Sequence, residues 1–367
     1  MTFYSKLQSY ENFNFDDFLS KVDDNKIEQI INKNDLDELD FLALLSDKAR
    51  NFLEPLAQKS SQICKLYFGN SITLFAPLYV SNFCINNCVY CGFSTRNNIE
   101  RKVLSFEQVH KNAEIVSGFG IRHILLLTAE SPVKTDLKYL KECVKILKNY
   151  FDVIDIELYP LTEDGYKELG EAGVTGITIF QETYDEKNYK CLHTKGAKTD
   201  FRFRLETCER AGRAGFRNLS IGALLGLSDF IKDLFFTGLH AKYLQETFRS
   251  CDIGVSFPRL RNAVGGYQAK VEISDAMLVQ AICAMRLFIN RIGITISTRE
   301  NNELRSNLIP LGITKMSAAS NTEVGGYAEK NNTKGQFEIS DNASVRQVKE
   351  MIYKKGYQPV LKDWMPL

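Results

Sequence analysis

Residues 72–91 read ITLFAPLYVSNFCINNCVYC, and this stretch indicates both a fold and a site. Its first half, 72–81, is an apolar, β-branched run with the length of one buried strand. Its second half carries Cys84, Cys88 and Cys91 with a C-x₃-C-x₂-C spacing. Because parallel barrels place their active sites at the carboxyl ends of their strands, a cysteine loop directly after a strand predicts a reactive site there.

The alternation of a short apolar run with an amphipathic stretch continues along the chain. Seven further strands are predicted, at 122–128, 153–159, 176–180, 218–224, 252–257, 294–298 and 313–317. Helical patterns separate them, at 105–119, 136–150, 162–172, 200–214, 229–249, 274–292 and 300–308. Eight such units predict an α/β protein with a parallel sheet, and their number favours a closed TIM-type (β/α)8 barrel over an open doubly wound sheet. Four of the helices begin at predicted N-caps, which are Ser105, Thr162, Asp200 and Ser274.

Segments of a different character flank the barrel. Apolar residues recur at three- and four-residue spacing over 35–58, so residues 1–70 are assigned to an N-terminal helical extension. The barrel is expected to occupy 71–322. Residues 323–367 are assigned to a C-terminal extension, with one helix at 344–355, that packs on the barrel.

The composition excludes several classes of protein. Lys and Arg number 46 and Asp and Glu 45, so the net charge of +1 argues against a nucleic-acid-binding protein. No apolar run approaches the roughly 18 residues of a membrane span, and the N-terminus lacks the features of a secretory signal. Nine cysteines are an odd number in a long chain, unlike a secreted disulfide framework. We therefore expect a cytoplasmic protein without a nucleic-acid or membrane partner.

The cysteine loop is the strongest chemical signal. Three thiolates within eight residues hold three corners of a cubane iron–sulfur cluster, whereas a cluster bound only by protein uses four cysteines. The next cysteine along the chain is Cys143, so one iron is expected to accept an outside ligand. The alternative is a structural zinc site, which the shortage of nearby ligands disfavours, since the next histidine is His110.

The form of this loop, with the aromatic residue Tyr90 before the last cysteine, resembles that of radical S-adenosylmethionine (SAM) enzymes. Further motifs follow in order between about residues 83 and 364, and together they resemble the 2-iminoacetate synthases (ThiH), the tyrosine lyases of thiazole biosynthesis. The motifs are SNFCINNCVYCGFS (81–94), FQETY (180–184), KGAKTDFRFRLE (195–206), RAGRAGF (210–216), GALLGLSD (222–229), VSFPRLR (255–261), ISTRE (296–300) and VLKDW (360–364).

The resemblance implies a reaction and its partners. The cluster gives one electron to SAM, which splits into methionine and a 5′-deoxyadenosyl radical. That radical takes a hydrogen atom from the amino group of L-tyrosine, and the Cα–Cβ bond breaks to give p-cresol and 2-iminoacetate (dehydroglycine), used for the thiamin thiazole ring. A flavodoxin or ferredoxin-type reductant and the thiazole synthase ThiG are the implied protein partners.

The resemblance also implies which residues bind the cofactors. The three cysteines of the loop are expected to bind three irons of a [4Fe-4S] cluster. Ala129 stands where the family commonly has glycine before its acidic SAM ligand, a small change that reduces backbone freedom. Five residues are assigned to SAM: Tyr90 beside the adenine, Glu130 at the amino group, Glu157 at the ribose, Arg204 at the carboxylate and Leu225 in the adenine pocket.

The substrate is an amino acid, so its carboxylate needs an anchor. Arg299, at the end of the seventh strand, is the predicted anchor, with Ser317 and Ser320 helping to orient the substrate. An ion pair between Arg299 and its neighbour Glu300 is the alternative. His193, alone in a polar loop, is expected at the surface. Further pocket candidates are Gln181, Glu182, Tyr184, Arg259 and Arg261.

Three other functions stay open at this point. A hydrogenase-maturation relative also cleaves tyrosine, but it carries a C-terminal cysteine-bearing domain, and no cysteine follows Cys283 in this sequence. A tryptophan-cleaving relative has a similar barrel. A non-catalytic iron–sulfur protein would explain the cysteines, but it would leave the acidic residue after strand two and the arginine after strand seven without a purpose.

Overall fold

A closed barrel of eight parallel strands forms the centre of the computed structural model, which describes residues 2–328 and 334–362. The barrel closes because β1 pairs with both β2 and β8, so the α/β barrel prediction is confirmed and the open sheet is wrong. The strands are β1 (Ser71–Ser81), β2 (His123–Thr128), β3 (Val153–Glu157), β4 (Gly176–Glu182), β5 (Asn218–Ala223), β6 (Asp252–Ser256), β7 (Gly293–Ile296) and β8 (Lys315–Ser317).

Helices precede the barrel and were expected there. Phe41 stacks on Phe288 with ring centroids 4.4 Å apart, which joins this N-terminal part to a barrel helix. The helices are α1 (Phe3–Gln8), α2 (Phe15–Ser20), α3 (Asp24–Asn32), α4 (Glu38–Leu44) and α5 (Leu53–Phe68), with a 3₁₀ turn at Lys48–Phe52.

The barrel helices follow the predicted order. Each predicted N-cap accepts a hydrogen bond from the backbone N–H three residues on, which confirms all four caps. The segment predicted as one helix at 200–214 is instead two, because the backbone at Glu206 leaves the helical conformation. The helices are α6 (Phe106–Gly118), α7 (Leu137–Leu147), α8 (Glu163–Ala172), α9 (Glu186–Leu192), α10 (Phe201–Leu205), α11 (Thr207–Arg213), α12 (Phe230–Thr247), α13 (Asp275–Phe288) and α14 (Asn302–Leu308).

The C-terminal segment packs on the barrel as expected. Its helix α15 (Val345–Lys354) buries Val348 and Ile352, and a ninth strand, β9 (Gln358–Val360), pairs in parallel with β1. The sequence did not predict β9, since three residues carry too little pattern. Asp363 and Trp364, which end the VLKDW motif, lie outside the described residues.

Two further points concern membrane-spanning helices and the division of the chain into segments. Among the helices in the described ranges, none has both the length and the apolar character needed to cross a membrane. The division of the chain at residues 70 and 322 stays a prediction.

The alternation of side chains along each strand separates the core from a cavity. In β2, Ile124 and Leu126 point outward into the apolar core, while His123, Leu125 and Leu127 point into the barrel. The inward residues line a cavity that opens at the carboxyl ends of the strands. The fold therefore places this cavity directly beside the cysteine loop.

Candidate active site

The loop after β1 is held in shape by one half-buried guanidinium. Arg101 donates hydrogen bonds to the carbonyl oxygens of Asn82, Phe93 and Ser94, each at 2.7 Å. Loop carbonyls that leave water need such donors, because no strand or helix satisfies them. Asn97 adds bonds to the carbonyl oxygens of Cys91 and of Gly92, both at 3.0 Å. The cysteine loop is therefore held by hydrogen bonds from side chains of the protein itself.

The three thiols of this loop suit a cluster better than a single ion. Cys84 accepts a bond from the Asn86 N–H at 3.4 Å, and Cys91 one from the Gln336 amide at 3.8 Å. Burial raises the pKa of each cysteine of the loop, and the ammonium group of Lys198 opposes that rise. Across residues 2–328 and 334–362, no three His, Cys, Asp or Glu side chains gather closely enough for one metal ion. A cubane does not require three ligands on one metal ion, since each cysteine binds its own iron, so these three thiols fit the cluster.

Beside the loop lies a network of four buried charges. Glu130 accepts bonds from Arg204 at 2.8 Å and from the amide of Asn86 at 2.6 Å. Glu182 accepts a bond from Lys198 at 2.6 Å and lies 3.6 Å from Arg204. Burial alone would raise the pKa of Glu182, but Lys198 and Arg204 lower it below its ordinary value. The network therefore presents fixed carboxylates and fixed cations at one edge of the cavity.

Glu182 also adopts a rare backbone conformation. Its φ is 71°, in the left-handed region that L-residues avoid, and the pairing register of β4 with β5 shifts between Phe180 and Glu182. The irregularity lies at the carboxyl end of the strand, where it carries the carboxylate to the cavity wall. Strain of this kind collects at functional sites.

His193 is buried, so the prediction of a surface residue is wrong. Its Nδ1 lies 2.8 Å from the carbonyl oxygen of Tyr189, and its Nε2 lies 2.7 Å from the hydroxyl of Tyr90. Burial lowers the pKa of His193 to about 3, so the ring is neutral. Because a carbonyl only accepts, Nδ1 carries the proton, and Tyr90 therefore donates to Nε2. No local pattern indicates this contact, which joins residues 103 positions apart.

The ends of β7 and β8 form the opposite edge of the cavity, and β3 brings Glu157 to the wall between β2 and β4. The guanidinium of Arg299 lies over the ring of Phe337, 3.3 Å from its centroid, and donates to the carbonyl oxygen of Arg259 at 3.4 Å. Ser320 donates to the hydroxyl of Ser317 at 3.1 Å. Burial and the charge of a nearby carboxylate raise the pKa of Glu157 to about 7, although Arg299 opposes the rise.

The structure brings most of the predicted site residues to this cavity. Glu130 and Arg204 lie next to the lining residues Glu182 and Lys198, in the same network of charges. The predicted residues that line it are Tyr90, Cys91, Glu157, Glu182, Arg261, Arg299, Ser317 and Ser320.

Other predicted residues lie elsewhere. Leu225 faces the apolar core, and its neighbour Leu224 lines the cavity, since adjacent residues of an extended chain point to opposite sides. Tyr184 bonds to His240 at 3.0 Å, and Gln181 donates to the carbonyl oxygen of Phe201 at 3.4 Å. These residues support the wall from behind.

The alternative for Arg299, a bond to Glu300, is not the arrangement found. Glu300 is buried and accepts bonds from Arg259 and from Arg261, the latter at 2.6 Å. Arg259 also donates to Asp275 at 2.8 Å, so it holds loops together behind the cavity. Arg299 is thereby left to face the cavity.

Sequence reasoning missed several lining residues, and two groups of them lie at the edges of the cavity. One is Lys198, which stands within a quoted motif but carried no signal of its own. The second is the pair Gln336 and Phe337, which line the cavity from the segment between β8 and α15. No sequence pattern links them to the cysteine loop.

Comparison with known proteins agrees with this geometry. Residues 78–234 match the Radical SAM superfamily, and residues 256–358 match the Biotin and Thiamin Synthesis associated domain. The chain is 38% identical to 2-iminoacetate synthase of Salmonella typhimurium over 339 residues, which cover 92% of this chain and 90% of that protein. It is 39% identical to 2-iminoacetate synthase of Escherichia coli over the same shares of the two chains.

Solved structures agree as well. The [FeFe]-hydrogenase maturase HydG of Carboxydothermus hydrogenoformans superposes with a TM-score of 0.90 at 31% identity, over 98% of this chain and 85% of that chain. Methylornithine synthase (PylB), at 21% identity and a TM-score of 0.72, shares the fold over 91% of this chain and 97% of its own. With identity near two-fifths over nine-tenths of its length, the chain belongs to the 2-iminoacetate synthase family of radical SAM lyases, whose cofactors are a [4Fe-4S] cluster and SAM.

Proposed function

We propose that this protein cleaves the Cα–Cβ bond of L-tyrosine to 2-iminoacetate and p-cresol. One observation carries the proposal: a single cavity has the cysteine loop at one edge and the guanidinium of Arg299 at the other. An amino acid held by its carboxylate at Arg299 therefore faces the site of radical formation. The family to which the chain belongs supports the reaction, and the geometry supports the proposed residue roles.

The residues proposed for the cofactors lie at the edge of the cavity that has the cysteine loop and its two ion pairs. These pairs are Glu130–Arg204 and Glu182–Lys198. Cys84, Cys88 and Cys91 hold three irons of the cluster. When bound, the cluster and SAM supply a 5′-deoxyadenosyl radical that removes a hydrogen atom from the substrate amino group. The amino-acid part of SAM is a zwitterion, and the buried pair of Glu130 and Arg204 offers it one carboxylate and one guanidinium.

Three further SAM contacts are proposed at the wall. Glu157, at the end of β3, has two oxygens that accept bonds from ribose hydroxyls. Tyr90 faces the adenine with its ring held by His193. Leu224, with Leu225 behind it, lines the adenine pocket.

The substrate has its residues at the opposite edge. Arg299 binds the tyrosine carboxylate, and the hydroxyls of Ser317 and Ser320 orient it. Phe337 lies under the guanidinium and excludes water from it. Position matters here because a hydrogen atom moves only between atoms already in contact.

The proposed partners follow from this chemistry. A low-potential one-electron donor, a flavodoxin or ferredoxin, reduces the cluster. 2-Iminoacetate hydrolyses readily, which favours its transfer to a thiazole synthase of the ThiG type. The nine cysteines are all free, as a reducing compartment such as the cytoplasm requires.

An anaerobic turnover assay tests the proposal. The protein is reconstituted with iron and sulfide, reduced with dithionite, and given SAM with L-tyrosine. We expect p-cresol and 5′-deoxyadenosine together by mass spectrometry. Cys88→Ala abolishes both products, whereas Cys191→Ala, at an exposed cysteine, leaves both unchanged.

Two results would overturn the assignment in different ways. Formation of 5′-deoxyadenosine without p-cresol would reject tyrosine and call for tryptophan in its place. Neither product, from protein shown to hold a four-iron cluster, would indicate a non-catalytic iron–sulfur protein.

A further inference from the structure

Two neighbouring residues of the C-terminal segment contact opposite edges of the cavity. The ring of Phe337 lies under the guanidinium of Arg299, and the side-chain nitrogen of Gln336 lies 3.8 Å from the sulfur of Cys91. Both residues belong to the part of the chain between β8 and α15. The proposed contacts with SAM and tyrosine give Gln336 no role, although it touches a sulfur that binds the cluster.

The backbone at Gln336 is attached to the cysteine loop and to two other loops. Its carbonyl oxygen accepts a bond from the N–H of Gly92 at 3.1 Å, and its N–H donates to the carbonyl oxygen of Thr322 at 3.3 Å. Glycine is needed at position 92, because a Cβ there would lie 2.5 Å from the carbonyl oxygen of Gln336. Two residues on, the N–H of Glu338 donates to the carbonyl oxygen of Asn262 at 2.9 Å. These backbone bonds do not depend on the side chain at position 336, so a substitution there leaves the segment in place.

The side-chain amide of Gln336 has a defined orientation. The hydroxyl of Tyr79 lies 2.8 Å from its oxygen. Burial raises the pKa of Tyr79 well above the ordinary value, so the hydroxyl keeps its proton and donates a hydrogen bond to that oxygen. A cysteine sulfur that binds iron accepts hydrogen bonds and donates none, so it requires the nitrogen end of the amide. Both neighbours therefore select the same orientation, in which the N–H group faces Cys91.

A donor at this sulfur acts on the electron that the cluster receives. Reduction makes the cluster and its sulfur ligands more negative, so an N–H group that faces one of them stabilises the reduced form more than the oxidised form. Hydrogen bonds to the sulfurs are among the features that set the potential of such clusters. The donor to Cys84 is the backbone N–H of Asn86, which a substitution does not remove. Gln336 provides a side-chain donor to the cluster ligands that a substitution does remove.

We propose that Gln336 raises the reduction potential of the cluster through its hydrogen bond to Cys91, with Tyr79 holding the amide in place. In the step concerned, the reductant loses one electron and the cluster gains it, and no bond to Gln336 forms or breaks. Gln336 is thus a positioning residue for electron transfer, supplied by the C-terminal segment and not by the barrel. The inference rests on the proposed function for the reductant, whereas the cluster follows from the family.

The test measures the potential of the reconstituted protein in the absence of SAM. The reduced cluster is quantified by electron paramagnetic resonance in samples poised at a series of potentials. Gln336→Leu has a similar size and no donor. At the midpoint potential of the unsubstituted protein, its ratio of reduced to oxidised cluster is expected to fall about tenfold, which is a shift of about 59 mV for one electron. Tyr79→Phe is expected to give a smaller fall, because the amide stays but loses the bond that orients it.

A matched control separates this effect from damage to the fold. Gln181 also has a buried amide, which donates to the carbonyl oxygen of Phe201 behind the cavity wall, so Gln181→Leu leaves the potential unchanged. Iron content and absorption spectra show whether each variant holds the same cluster. An unchanged potential in Gln336→Leu, or an equal shift in Gln181→Leu, overturns the proposal. Absence of p-cresol from the unsubstituted enzyme would instead reject the proposed function and leave the difference in potential as it is.

A spectroscopic measurement keeps the proposal testable if Gln336→Leu does not hold its cluster. The unsubstituted protein is labelled with ¹⁵N at the side-chain nitrogens of its glutamines, and its cluster is reduced. Pulsed electron paramagnetic resonance is expected to show a coupling between the cluster and one ¹⁵N nucleus, since the amide of Gln336 touches a cluster ligand. Absence of this coupling overturns the role of Gln336.

Discussion

The two edges of the cavity differ in how their charges are balanced. At the paired edge, Glu130 and Arg204 form one ion pair, and Glu182 and Lys198 form another. At the opposite edge, Arg299 lies over an aromatic ring, and burial lowers its pKa. Buried charges without partners cost free energy. The paired edge is therefore preformed, whereas the edge at Arg299 gains most when a ligand brings a carboxylate.

Breaking the paired edge has the largest expected effect on stability. Arg204→Ala leaves Glu130 buried without its guanidinium, which lowers the free energy of unfolding by about 3–5 kcal/mol. Urea unfolding of the reconstituted protein measures the change. Arg202→Ala is the matched control, since that neighbour pairs with Glu206 in solvent and no measurable loss is expected. Equal losses in the two variants would show that the paired edge adds nothing.

Breaking the opposite edge affects the substrate instead. Arg299→Ala raises the KM for tyrosine and lowers kcat/KM roughly 10²-fold, because the carboxylate loses its charged donor. Unfolding by urea is expected to change little, since burial of Arg299 already opposes its charge. Arg299→Lys recovers only part, because an ammonium group cannot form two parallel bonds. A stability loss as large as that of Arg204→Ala would contradict the contrast between the edges.

The two edges were also unequally predictable from the sequence. The barrel and all four helix caps followed from local patterns, namely periodic apolar runs and cap residues directly before them. The end of each strand then placed Glu130, Glu157 and Arg299 around one cavity. Phe337 could not be placed in this way, because it reaches Arg299 from a loop whose course depends on tertiary packing.

The assignments to SAM depended on the resemblance rather than on pattern. Nothing local indicates that Glu130 meets Arg204, 74 positions away. His193 shows the same limit, since its polar neighbours predicted a surface residue and the fold buried it against Tyr90. The prediction for Leu225 is off by one position, since Leu224 lines the cavity and Leu225 faces the core. The direction of a side chain in a loop after a strand depends on tertiary packing, which no local pattern shows.

Glu157 makes the stability of the cavity wall depend on pH, which provides a further test of how charges are balanced there. Its pKa rises from the ordinary 4.5 to about 7, so the folded protein binds this proton more tightly than the unfolded chain does. The resulting stabilisation is complete below pH 4.5 and is lost as the pH rises through about 7. Glu157→Gln therefore flattens the fall of unfolding free energy across this window, measured by urea unfolding at a series of pH values.

Asp233 supplies the control for that measurement. Burial raises its pKa to about 7 as well, but it accepts bonds from Thr183 and Tyr184 away from the cavity. Asp233→Asn is expected to remove the part of the pH dependence that comes from Asp233. The effects of the two substitutions on the slope of unfolding free energy against pH are expected to be additive. A slope in Glu157→Gln equal to that of the unsubstituted protein would contradict the raised pKa.

The smallest expected effect concerns Gln336, which joins the C-terminal segment to the cysteine loop. Its side-chain oxygen accepts a bond from the Tyr79 hydroxyl at 2.8 Å, and its amide lies 3.8 Å from the Cys91 sulfur. Gln336→Ala removes one net hydrogen bond and lowers the free energy of unfolding by about 1 kcal/mol. Tyr79→Phe removes the same bond from the other side, so the double variant is expected to lose less than the sum of the two. Full additivity would mean that the segment covers the cavity without being coupled to the loop. A coupling of about 1 kcal/mol would make the segment part of the wall that holds the cluster.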